Sequence, residues 1–314
     1  MSIVKQIQFD NFKSFYNAIG PSGKLIKNFD GFVFRGHSSQ SYKLLPSIYR
    51  YNIQDGEYDI HKLFTMVKAG NQSLQYMNTE EFQVVLEYLL LQKFYRIANY
   101  NGLNVPSIND FIFSANYSFI IKEIQKKDFR WIHPNLVELA ALAQHYRIPT
   151  RLLDWSFDIY VALYFAVKGA CEKIANNKNR QDYFELWAIN YNYFQENYSE
   201  SFPFKFIIPY YHNNTNLCAQ KGLLSYVEIK YKHLYGNNEM NKLKRRVVSV
   251  DVLLSRWKNY FKNIDILYKI SIPYSCAKDT FFFLNKMNYN ASRIFPGYWG
   301  VVKELNEKKY IYDR

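Results

Sequence analysis

Residues 143–156, AQHYRIPTRLLDWS, crowd together side chains that can hold a ligand or move a proton: Gln144, His145, Tyr146, Thr150, Arg151, Asp154, Trp155 and Ser156. A second island, FRGHS at 34–38, sets Arg35 and His37 two residues apart directly after an apolar run. Arginine offers a planar fork that fits a phosphate or carboxylate with paired hydrogen bonds. Histidine changes charge near neutral pH, and tyrosine or tryptophan rings stack on flat ligands. The expectation is that the two islands meet in the fold and line one polar pocket.

Other chemistries are weaker on spacing. His145 as a base beside Asp154 and Ser156 is the material of a hydrolytic relay, but no G-x-S-x-G elbow surrounds Ser156. The six histidines are scattered, none in H-x-H or at i, i+4, so no metal is expected. Some residues have purely structural readings. Arg151 and Asp154 point to opposite faces if the segment is extended, so Arg151 needs its own carboxylate, Glu138 or Glu87, buried with it. Trp155 reads either as a stacking surface or as core, and His145 either as a site residue or as a cap on helix carbonyls.

Elements must position these groups. GFVFRGHS reads as a strand with Phe32 and Phe34 on one face and Val33, Arg35 and His37 on the other; Gly36 permits a bulge or a close approach of backbone to ligand. YKLLPSIYR at 42–50 follows as a loop and short helix. Helical patterns are expected at 57–70, 80–100 and 107–125, then over 135–146 up to the break at Pro149. TRLLDWS at 150–156 reads as a strand placing Thr150, Asp154 and Ser156 on one face. Asp158 or Ser156 should cap the next helix, whose Ala162, Ala166, Gly169 and Ala170 form a ridge for close packing against a sheet. Strands are expected at 185–191, 204–211, 223–231, 247–253 and 267–274, with helices at 251–263 and 276–288, and the IFPG block at 294–297 closes the sheet. The fold class is therefore α+β: a mixed or antiparallel sheet with strands from both halves, flanked by an α-rich N-terminal half. Domain limits are expected at 1–30 for a lead-in helix, 31–305 for one large domain with a helical insertion at 57–130, and 306–314 for a tail.

The chain has 314 residues, 48% hydrophobic and 21% charged, enough for a sizeable core. No apolar run could span a bilayer, the first residues lack a secretory pattern, and Cys171, Cys218 and Cys276 are sparse and unpaired, so a cytoplasmic protein with no membrane contact is expected. The net charge of +13 and the run Lys242, Lys244, Arg245 and Arg246 invite nucleic-acid contact, against the plainer reading of a solvated basic face in an AT-rich coding sequence.

FRG at 34–36 with YKLLPSIYR, the block QHY-x-x-PTRLLDW followed by VALYFAV, and RIFPGYWGVVKEL together resemble the FRG domain of bacteria and their phages, over roughly residues 30–305. This sequence departs from that pattern at Arg147, usually Gly, at Ser156, more often Thr, and at Tyr298-Trp299, usually Leu-Asp. Many such chains look like accessories or effectors of phage defence and mobile elements. The aromatic-Arg-Gly strand, the hydroxyl-bearing strand and the A-x-x-Y-F-A helix are also similar to the NAD-gripping core of ADP-ribosyltransferases. That resemblance implies NAD as cofactor, held by Arg35 with His37. It places Asp154 and Ser156 at the ribose and Tyr146 and Trp155 at the rings, with Thr150 in the same lining. His145 and Asp154 join the catalytic set, and Gln220 or Glu228 fills a late amide or acid role. The contrasting expectation is a non-catalytic module that binds a nucleotide, a nucleic acid or a protein partner.

Overall fold

Phe32, Val33 and Phe34 are all buried, so the strand that carries them needs cover on both faces and belongs in the middle of a sheet. The computed structural model describes residues 3–50, 67, 80–107, 120, 122–123, 126, 129–176, 182–210, 214–230, 248–261 and 264–312. The helices expected at 57–70 and 107–125 lie outside these residues in most of their length, and the basic run 242–246 lies wholly outside them.

The strands are β1 (Val4–Gln8), β2 (Phe32–His37), β3 (Arg130–Trp131), β4 (Leu153–Ser156), β5 (Tyr183–Asn190), β6 (Phe204–Ile207), β7 (Gly222–Val227), β8 (Ile229–Lys230) and β9 (Leu267–Pro273). Seven form one sheet in the order β1-β9-β5-β2-β4-β7-β6, with β2 at its centre, while β3 and β8 pair separately. The β1–β9 pair is parallel and the other pairs are antiparallel. The sheet is thus mixed and takes strands from both halves of the chain. β1, within the expected lead-in, is an edge strand of this sheet.

The long helices are α1 (Phe12–Ile19), α2 (Glu80–Tyr100), α3 (Val137–His145), α4 (Ile159–Ala175), α5 (Ala277–Lys286) and α6 (Tyr298–Glu307). Asp158 caps α4, its carboxylate accepting the Tyr160 N–H at 3.1 Å. Phe32 and Phe34 share a core with α1, α4 and α5, and Val33 joins the core on the opposite face with Trp155, Trp187, Ile189 and Leu223. The expected ridge of α4 runs along β2. A Cβ placed on Gly36 would meet the Ala162 carbonyl oxygen at 2.0 Å, and one on Gly169 would meet the Ser38 Cβ at 2.6 Å. The space beside Gly36 is therefore taken up by the close approach of a helix.

Two expected strands change. TRLLDWS is extended only from Leu153, because Thr150 and Arg151 are held by partners elsewhere in the chain. The described part of 247–253 begins a helix, Val250–Arg256, which buries Val250 and Leu254 at i, i+4. The IFPG block adds no strand: Ala291 and Ile294 pack into the core on the α4 side of the sheet, where α6 follows them.

Candidate functional site

β2 and β4 share a single residue pair, Phe34 with Ser156. Beyond it the Asp154 carbonyl is taken by a side chain: Arg35 Nη1 donates to the Asp154 backbone oxygen at 2.8 Å and lies 3.6 Å from the Asp154 carboxylate. The two polar islands therefore meet. The Arg35 side chain is 15% exposed while that of Asp154 is 64% exposed, so the guanidinium is sunk behind a carboxylate that faces water.

Arg35 Nε also donates to His37 Nε2 at 3.2 Å. With Nε2 accepting, the ring proton belongs on Nδ1, and that nitrogen is buried with no regular hydrogen-bond partner. Burial lowers the His37 pKa well below 6.5, and the positive charges of Arg35, Arg50 and Lys269 push the same way, opposed weakly by the Tyr42 backbone. Burial also pulls the Arg35 guanidinium down to about 10; Asp154 opposes this and Arg50 adds to it. Arg35 stays charged at neutral pH.

The neutral state of His37 has a measurable consequence. The unfolded ring takes up a proton below its ordinary pKa, the folded ring does not, so stability is full above about pH 6.5 and declines as pH falls, by up to about 1.4 kcal/mol per unit. His37→Gln is expected to remove that part of the slope in urea midpoints measured from pH 7 down to 5. An unchanged slope would mean that His37 charges within the fold.

Donors converge on Asp154 from the other side. Gln144, in the last turn of α3, donates Nε2 to Asp154 Oδ1 at 2.5 Å, and its Oε1 accepts the Thr150 hydroxyl. Thr150 is in turn clamped to the turn at 47–49: its N–H donates to Ser47 Oγ at 3.2 Å, and its carbonyl accepts from Ile48 N–H at 3.1 Å. One polar chain thus runs Ser47–Thr150–Gln144–Asp154–Arg35–His37. His145 is close enough to feel Asp154, which raises its pKa against a larger lowering by burial. Two exposed tyrosine rings lie against the histidines: Tyr42, 6.2 Å from the His37 ring, and Tyr146, 5.0 Å from that of His145.

Next to Arg35 on β5 is Trp187, and next to His37 is Glu185. Glu185 is fully buried and pairs with Lys269 Nζ at 2.7 Å. Burial raises the Glu185 pKa and Lys269 opposes the rise. That pair neutralises itself. Around Arg35 this leaves a second guanidinium, Arg50, with no ion-pair partner among the described residues, against the one carboxylate of Asp154.

Four residues expected at the site lie away from the Arg35–Asp154 contact. Trp155 is buried in the core, its indole N–H donating to Ser225 Oγ at 2.8 Å, so its ring has no face to offer a ligand. Ser156 is buried, donating to the Gln220 carbonyl at 2.7 Å and accepting the Asp158 N–H at 2.9 Å. It sits where β4 turns into α4, and the turn uses its hydroxyl. Gln220 lies at that same end and donates to the Ile294 carbonyl at 3.3 Å. Glu228 is buried at the far end of β7, 3.9 Å from Arg130. Arg50, Tyr42, Glu185 and Lys269 were not singled out from the sequence. A charged residue inside the apolar run YFELWAI marks Glu185 in retrospect, and YKLLPSIYR ends on Arg50.

The family model of the FRG domain matches residues 30–175. No curated protein and no solved structure matches the chain. The matched stretch contains β2, α2, α3, β4 and α4, and so both polar islands. It stops before β5, which supplies Glu185 and Trp187. No helix among the described residues is long and apolar enough to cross a membrane, and no cluster of metal-binding side chains occurs among them.

Proposed function

The chain carries an FRG domain, and from that premise we propose that the Arg35–Asp154 cluster binds NAD or a related dinucleotide and supports transfer or release of its ADP-ribosyl group. The observation that carries the reading is the charge arrangement: a sunken guanidinium on Arg35, a second one on exposed Arg50 with no ion-pair partner among the described residues, a buried His37 ring, and one exposed carboxylate. Arginine forks suit a diphosphate. Breaking the bond between nicotinamide and ribose develops an oxocarbenium-like centre, and a nearby carboxylate stabilises positive charge as it forms. Asp154 suits that role better than Gln220, because its oxygens face water and its orientation is fixed by Gln144 and Arg35.

The topology supports the same reading. The ADP-ribosyltransferase cores that this sequence resembles bring an Arg-bearing strand, a hydroxyl-bearing strand and a late acid or amide together. Here β2, β4 and β7 are neighbours, and Gln220 leads into β7. The commitment of Ser156 and Gln220 to the fold favours the second reading, a module that binds the nucleotide without turning it over. The setting that fits either is phage defence or a mobile element.

The test is NAD binding followed by nicotinamide release. Wild type should show a rise in melting temperature with NAD, as any ligand selective for the folded state does by mass action. Asp154→Asn should keep that rise while lowering nicotinamide release by about a hundredfold or more, the scale on which electrostatic stabilisation of a transition state acts. Binding without turnover in wild type would select the module. Absence of any shift with NAD or ADP-ribose would reject both readings.

A further inference from the structure

The part of the chain that the expected site left unused is YKLLPSIYR. Its last residue, Arg50, ends the turn formed by Ser47–Tyr49. Two backbone observations make this turn a rigid mount. Ile48 N–H is bonded to the Thr150 carbonyl, and Thr150 N–H to Ser47 Oγ, so the turn is fixed to the residue that orients Gln144 and, through it, Asp154. Ile48 is fully buried beneath. Arg50 itself is exposed, and its charge acts on both Arg35 and His37.

Holding two guanidiniums near each other is unfavourable unless something negative comes between them. Asp154 answers for one of them at 3.6 Å. No carboxylate among the described residues pairs with the other. The His37 imidazole accepts from Arg35 at 3.2 Å, is 4% exposed, and has a buried Nδ1 without a regular hydrogen-bond partner. A second anion would fit this arrangement, and the described residues do not supply one.

We propose that Arg50 is the second arm of a phosphate clamp, so that a diphosphate is gripped between Arg35, rooted in β2, and Arg50, carried on the turn at 47–49. This rests on the dinucleotide reading above and adds to it the group that Arg50 recognises: the diphosphate, not the base, the ribose or the nicotinamide. Arg35 is the buried, geometrically fixed arm, committed in part to Asp154. Arg50 is the solvent-side arm that closes on the ligand. The binding energy of a charged ligand should therefore depend on Arg50 more than the fold does.

The experiment compares wild type, Arg50→Ala and Arg50→Lys by calorimetric titration with inorganic pyrophosphate, ADP-ribose, adenosine and nicotinamide, with thermal unfolding of each variant recorded alongside. Arg50→Ala is expected to weaken ADP-ribose and pyrophosphate by about tenfold or more, the loss that follows removal of a charge-assisted hydrogen bond. Any binding of the uncharged adenosine and nicotinamide should stay unchanged. Arg50→Lys should recover part of the loss, since it restores charge without the fork. Melting temperatures without ligand should match wild type because Arg50 is exposed. Unaltered ADP-ribose binding in Arg50→Ala would overturn the clamp and leave the dinucleotide reading standing. Arg50-dependent binding of pyrophosphate with no binding of ADP-ribose would keep the clamp and overturn the dinucleotide. Binding of neither anion to wild type would overturn both.

Discussion

Glu87→Ala is expected to cost about 3–5 kcal/mol of folding stability, the range for breaking a buried ion pair from one side. Glu87 is the hub of a buried polar network. Its carboxylate accepts Arg151 Nε at 2.6 Å and Nη2 at 2.8 Å, Trp131 Nε1 at 2.7 Å and Gln83 Nε2 at 2.8 Å. Both members of the pair are closed off from water, with side chains 1% and 4% exposed. Removing the carboxylate leaves a guanidinium that cannot be hydrated and whose Nη1 already lacks a hydrogen bond. Burial by itself pulls the Arg151 pKa down, yet the net shift is upward because Glu87, with help from Tyr49 and Glu80, more than offsets it. Glu80 remains after the substitution, which favours the lower end of the range. Urea unfolding would measure the loss. Replacing both partners together, Glu87→Leu with Arg151→Met, should recover part of it, since a hydrophobic pair of similar volume removes the stranded charge while the buried Trp131 N–H still loses its acceptor. A loss below about 1 kcal/mol in the single variant would be the size expected of an exposed pair and would contradict this picture.

The network also shows where the sequence was legible and where it was not. The alternation in FVFRGH is a local signal, and β2 follows it: the phenylalanines enter one core and Val33 the other. The small residues at Ala162, Ala166 and Gly169 likewise announce a helix that must approach something closely. An arginine among leucines must be paired, which points to Glu138 or Glu87, but the choice of Glu87 depends on how α2 packs on α3, which no local pattern encodes. For the same reason the reading of TRLLDWS as extended from Thr150 was too long. Thr150 bonds to Gln144 and to the turn at 47–49, and Arg151 reaches α2, so regular pairing with β7 begins at Leu153. Ser156 has the residue type of a ligand-facing hydroxyl, yet its oxygen completes the entry to α4. Arg50 and the Glu185–Lys269 pair left weak traces, since a single charge in a strand or at the end of a turn says that a partner exists without saying where.

Gly36→Ala tests what the glycine in the FRG motif is for. The expected result is a loss of about 3 kcal/mol, the upper part of the range for overpacking a tight interior. The added methyl would lie 2.0 Å from the Ala162 carbonyl oxygen, 2.8 Å from the Ala166 nitrogen and 2.9 Å from its Cβ. Two of those three atoms are backbone, so no rotamer change relieves the contact and α4 must lift from the sheet. Ala166→Gly, which removes only the Cβ, should therefore rescue little of the loss. Because Gly36 separates Arg35 from His37, a displaced β2 would carry both site residues with it. Weaker ligand binding in Gly36→Ala should then track the loss of stability and appear with pyrophosphate and ADP-ribose alike. The informative contrary result is a variant that unfolds at the wild-type urea concentration but no longer binds. That outcome would mean that the space beside Gly36 is kept for the ligand, as the sequence suggested, and that α4 yields to an added methyl more readily than a carbonyl oxygen at 2.0 Å allows.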